Sequence, residues 1–107
     1  MLAYKAMYKF VDGCVHAEVL GFPGVITSGT DLDDAREMLA IALVDIAETN
    51  LLAGEALPRP NPTASNPEAD LEEPIHLLLT GSARVRTVRK GATRERAKEM
   101  GNETPGR

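Results

Sequence analysis

The stretch VLGFPGVITSGTDLDDA, residues 19–35, decides how this chain folds. Val19 and Leu20 close a strand, and Gly21-Phe22-Pro23-Gly24 turns the chain. Pro23 fixes its own φ, and the flanking glycines can take positive φ. Residues 25–28 are short and rich in β-branched side chains, which predicts a strand that stops at Gly29. Asp31, with Thr30 as the alternative, then caps a helix. Counted from Asp31, Asp34 stands at the third helical position, an aspartate version of the capping box. Asp33, Asp34 and Glu37 crowd the first turns, where the helix dipole favours negative charge.

Upstream, residues 2–11 alternate: Tyr4, Ala6, Tyr8 and Phe10 fall on one face, Lys5 and Lys9 on the other. That is the period of a half-buried strand. Asp12-Gly13 is a preferred tight hairpin turn. Residues 14–20 return with Val15, Ala17 and Val19 inward, and His16 and Glu18 outward. Downstream, Leu32, Ala35, Leu39, Ala42 and Ile46 repeat at helical steps, while Met38, Ile41, Leu43 and Val44 widen the apolar surface. Such a helix has more apolar residues than one buried face needs, so it should pack on the sheet and touch something else. Gly54 is a natural residue to end it.

Residues 54–74 form a connector holding Pro58, Pro60, Pro62, Pro67 and Pro74. A connection this long is unusual in a compact domain. It is expected either to hold a helical turn near residues 68–73 or to wrap over the body. Residues 75–80 predict a fourth strand, with Ile75, Leu77 and Leu79 inward. Gly81-Ser82 breaks it, and residues 83–88 alternate as an edge strand would. The order β-β-β-α-β predicts an α+β fold, an antiparallel sheet with one long helix across one face. The last strand joins this sheet or that of a partner subunit. Residues 1–88 are read as the domain. Residues 89–107 are read as a basic, flexible tail with a transient helix over residues 93–100.

At 107 residues and without tryptophan, the chain supports one domain with a modest core. A domain of this size often gains stability by association. Its single cysteine, Cys14, cannot close an intrachain disulfide, which fits a reducing compartment. Apolar runs fall short of a membrane span, and Lys5 and Lys9 interrupt the N-terminus where a signal peptide would be apolar. The expected location is the cytoplasm. The net charge of −4 hides an asymmetry: residues 1–73 carry four bases and thirteen acids, and residues 74–107 carry eight bases and three acids. The acidic part suits a basic protein partner, and the basic part suits nucleic acid or an acidic partner.

Chemistry-bearing residues read mostly as ordinary ones. His16 and His76 belong to no metal-binding spacing; either could act as a general base, but solvated surface histidines explain them more simply. The acids at the helix start are accounted for by capping and dipole compensation. A two-metal nuclease needs acids converging from several strands, and the first strand has none. Thr27, Ser28 and Thr30 sit beside glycines but lack the lysine of a phosphate-binding loop. No catalytic, metal or cofactor residue is assigned. The remaining candidate is a run of bases, Arg84, Arg86, Arg89, Lys90, Arg94, Arg96 and Lys98, opposed only by Glu95. Phosphate contacts are made by such groups, although the run has no aromatics for base stacking.

These residues also carry a resemblance. The run FPGVITSGTDLDDA, the long alanine- and leucine-rich helix and the segment GEALPRP together resemble HicB-like antitoxins of bacterial and archaeal type II toxin–antitoxin systems. Phe22-Pro23-Gly24 matches the family's turn. Val25, Gly29, Leu32 and Ala35 match its helix start, with Asp31 in place of the capping threonine and Asp33 and Asp34 in place of two glutamates. Gly54, Pro58 and Pro60 match its helix exit. The resemblance covers residues 2–60. It implies a domain like a truncated ribonuclease H fold without catalytic acids, assembled into dimers or tetramers. It also implies an antitoxin that neutralises a small basic RNA-cleaving toxin by protein–protein binding. Many members add a DNA-binding C-terminal domain, and residues 81–107 lack the apolar pattern for one. A nucleic-acid-binding accessory role through the basic run is the alternative, and an enzyme whose site forms between subunits is a third.

Overall fold

Two hairpins built on glycines set the sheet. In a computed structural model, which describes residues 1–88, β1 (Leu2–Val11) and β2 (Cys14–Leu20) pair antiparallel around a two-residue Asp12-Gly13 turn. Gly13 there has a φ of 78°, a conformation that costs glycine nothing. The second turn, at Gly21-Phe22-Pro23-Gly24, leads to β3 (Ile26–Gly29), which pairs antiparallel with β2. Gly21 and Gly24 both have positive φ. The turn also feeds the core. Phe22 and Val25 are buried, and the Phe22 ring lies 5.3 Å from that of Tyr4.

The helix α1 (Leu32–Leu52) follows directly. Asp31 is its N-cap, its carboxylate accepting from the Asp34 amide at 2.8 Å. Asp34 reaches back past the cap, accepting from the Thr30 amide at 2.8 Å and from the Thr30 hydroxyl. Both candidate cap residues are therefore used, in different roles. At the other end the Gly54 amide donates to the Leu51 carbonyl and the Glu55 amide to that of Asn50, with Gly54 at a φ of 78°. This is the paired closure that satisfies the last carbonyls of a helix.

One row of α1, Ala35, Leu39, Leu43 and Ala47, is buried on one face of the sheet with Tyr4, Ala6, Tyr8, Val15, Ala17, Val19 and Leu77. Alanines on both sides of this contact let helix and sheet approach closely. Approach is closest at Gly29, where an added Cβ would fall 2.7 Å from the Ala35 Cα. Much of the surplus apolar surface of the helix is also absorbed, since Leu32, Ala42, Val44, Ile46 and Leu51 pack around the same core. Ile41 and Leu52 stay exposed.

The fourth strand is longer than its sequence suggests. β4 runs Leu71–Leu79 and pairs antiparallel with β1 from Tyr8–Leu71 to Leu2–Leu77. It therefore takes in residues 71–74, read above as connector or helical turn. Pro74 is the reason for the misreading. β5 (Val85–Val88) pairs only with residues 76–79, so Pro74 lies on a free edge, where its missing N–H is not needed. The sheet order is β3-β2-β1-β4-β5, an antiparallel five-stranded sheet with one helix, the expected α+β class. The last strands join this sheet. β4 begins opposite Tyr8, so Phe10 has a strand on one side only and is 53 % exposed instead of buried.

The connector of residues 54–70 wraps over the body. Pro58 accepts from the Tyr4 hydroxyl at 2.7 Å on the helix side. Ser65 and the Asn66 amide then bond Glu72, which stands opposite Met7 on the other face. Met7 is 2 % exposed there, outside the main core cluster. Asp70 closes the wrap, its carboxylate accepting from the Phe10 amide and its own amide donating to the Tyr8 carbonyl.

Candidate functional site

The outer side of α1 is acidic. Asp33, Glu37, Ile41 and Asp45 recur every four residues and are all exposed, which makes them one surface row. Asp33 and Asp34 sit in the first turn, and the last turn has no base. Arg36 is the single base in the helix, and it faces sideways toward β4. Asp33 is paired with Arg36, but Glu37 and Asp45 meet no base among the described residues, and one large apolar side chain, Ile41, stands between them.

Beside this row a cleft of about 480 Å³ opens between α1 and the free half of β4. Tyr8, Asp33, Arg36, Ala40, Glu73 and Ile75 line it, and Thr87 and Val88 of β5 bound one side. Arg36 crosses it. Its Nε and Nη2 donate to the two carboxylate oxygens of Glu73, each at 2.9 Å. Its Nη1 lies 3.4 Å from the Asp33 carboxylate. The hydrogen bonds to Glu73 push the Arg36 pKa up, with the fields of Glu73, Tyr8 and Asp33 helping and burial opposing. One guanidinium therefore faces two carboxylates, and the charged lining of the cleft is net negative. This pair is invisible in the sequence because Glu73 lay in a segment not read as strand. The signal was Arg36 itself, a lone base among the acids of a helix start.

The histidines do not meet. His16 is on β2 and His76 on β4, with β1 between them. Register sets His16 opposite Lys9 and His76 opposite Ala3, on the face away from the helix, although His76 also contributes to the lining of the cleft between α1 and β4. His16 Nε2 is 2.8 Å from Glu18 Oε2, its neighbour two residues along the same strand. Cys14 is half-buried at the start of β2. Among the described residues no three His, Cys, Asp or Glu side chains are grouped to hold a metal ion, and no helix is long and apolar enough to cross a membrane.

Of the basic run, Arg84 and Arg86 are described. Arg84 is exposed before β5, its Nε 3.5 Å from Glu48, which also accepts from the Val85 amide. Arg86 is exposed on β5, opposite Leu78. Arg89, Lys90, Arg94, Arg96 and Lys98 lie outside the described residues. No family model, curated protein or solved structure matches the chain.

Proposed function

We propose that this chain is a HicB-like antitoxin, a non-enzymatic domain that binds and neutralises a small basic RNA-cleaving protein. The observation that carries the reading is the exposed acidic row on α1, in which Glu37 and Asp45 flank Ile41 and only Asp33 is paired with a base. A basic partner would be steered to such a face by its field and anchored by the apolar residue within it. Support also comes from the sequence resemblance over residues 2–60 and from the antiparallel sheet with a single helix, which is compatible with a truncated ribonuclease H-like domain. Exposed Ile41 and Leu52 on the helix, and Ile26 on the edge strand β3, offer apolar surface for a dimer or tetramer. The working compartment is the cytoplasm, where the RNA substrate of such a toxin resides.

The test is to inspect the adjacent reading frame for a small basic protein and to co-express it with this chain. RNA cleavage by that protein should stop when this chain is present and return with the Asp33→Lys, Glu37→Lys, Asp45→Lys triple variant. Cleavage that this chain leaves unimpeded, or a variant that inhibits as well as the parent, would overturn the proposal.

A further inference from the structure

The cleft between α1 and β4 is open, net negative in its charged lining and apolar in much of the rest, which includes Ala40 and Ile75. We propose that it is the docking site for the basic segment of the same chain, residues 89–98. This inference does not need the toxin partner.

Position comes first. The β4–β5 register ends at the pair His76–Val88, and the next residue on β4 is Ile75, which lines the cleft. Val88 lines it too, so the segment starts at the rim with no gap to span. Continuing the ladder is disfavoured, because two positions beyond His76 stands Pro74, which has no N–H to give. The sheet edge therefore competes weakly for the chain.

Charge comes second. Residues 1–88 carry six bases and thirteen acids, a net −7, whereas residues 89–98 carry five bases and one acid, a net +4. Asp33 in the cleft begins the row that continues through Glu37 to Asp45, so a chain leaving the cleft along α1 meets carboxylates at each turn but one. Attachment at the rim makes the encounter intramolecular, with an effective concentration on the order of millimolar, so weak individual ion pairs suffice. A free small anion is a poor occupant, because Arg36 is already held by two carboxylates.

The test is the amide NMR spectrum of the full 107-residue chain and of its Arg94→Glu, Arg96→Glu, Lys98→Glu variant. At about 20 mM salt the two should differ at Asp33, Ala40, Glu73 and Thr87, and at about 300 mM salt, where charges more than several ångströms apart are screened, the difference should collapse. The wild-type shifts should not change on dilution. Identical cleft shifts in the two proteins at low salt would overturn the proposal. So would a difference that fades on dilution, since that makes the occupant a second copy.

Discussion

Gly29 shows what a single residue does in this fold. It ends β3, and its lack of a side chain lets the first turn of α1 rest on the strand, with Ala35 where a Cβ would otherwise be. The clash would be with backbone, which cannot rotate away. Gly29→Ala should therefore cost about 3 kcal/mol or more, the upper end for overpacking, measured by denaturant unfolding; a cost under about 1 kcal/mol would mean that the helix start can shift. The caps at Asp31 and Gly54 were readable in advance because they depend on chemistry within four residues. The role of Gly29 was not, because a close approach between elements leaves no local signature. Glu72 is a second decisive residue. The Asn66 amide, and to a lesser degree Ser65 and Lys5, hold its carboxyl below its ordinary value against the opposing effect of burial. A carboxyl with a lowered folded pKa stabilises above its unfolded value, about 4.3, and the contribution is lost as pH falls through the folded value. Glu72→Gln should lower the melting temperature at neutral pH, and the gap to wild type should shrink as the pH drops below about 4. A gap independent of pH would exclude the carboxylate charge as its source.

At the scale of elements, the hairpins, the helix and its limits follow from patterns of two and of three to four residues. β4 departs from this because Pro74 reads as a breaker, and only pairing on one side makes a proline acceptable there. Its inclusion in the strand places Glu73 on the helix face, beside Arg36, and so creates the cleft. The connector also took its role from tertiary structure. Its prolines argue against a long helix, but only the bonds to Tyr4, Glu72 and Phe10 show that it crosses from one face of the sheet to the other. Burial of Met7 follows from that crossing, since its face of β1 has no helix. The surplus apolar surface of α1, which predicted a second contact, is met largely by the domain's own core, leaving Ile41 and Leu52 outward.

The described residues form an acidic body in which three of six bases pair with carboxylates. Lys5 pairs with Glu72, Arg36 with Glu73 and Asp33, and Arg84 with Glu48, while Glu37 and Asp45 of the row on α1 stay unpaired with any described base. The acids of that row were legible as a helix-dipole feature, and their extension to Asp45 under uniform exposure became visible only with the fold. The proposed recognition of a basic protein by this face would make association depend on long-range attraction. The direct measurement is the association rate between this chain and the proposed small basic partner, followed by stopped flow across ionic strength. The rate should fall steeply with salt, and Asp33→Lys, Glu37→Lys, Asp45→Lys should lower it on the order of 10-fold or more at low salt while circular dichroism remains that of the folded parent. A rate that is indifferent to salt and to the three substitutions would contradict the account.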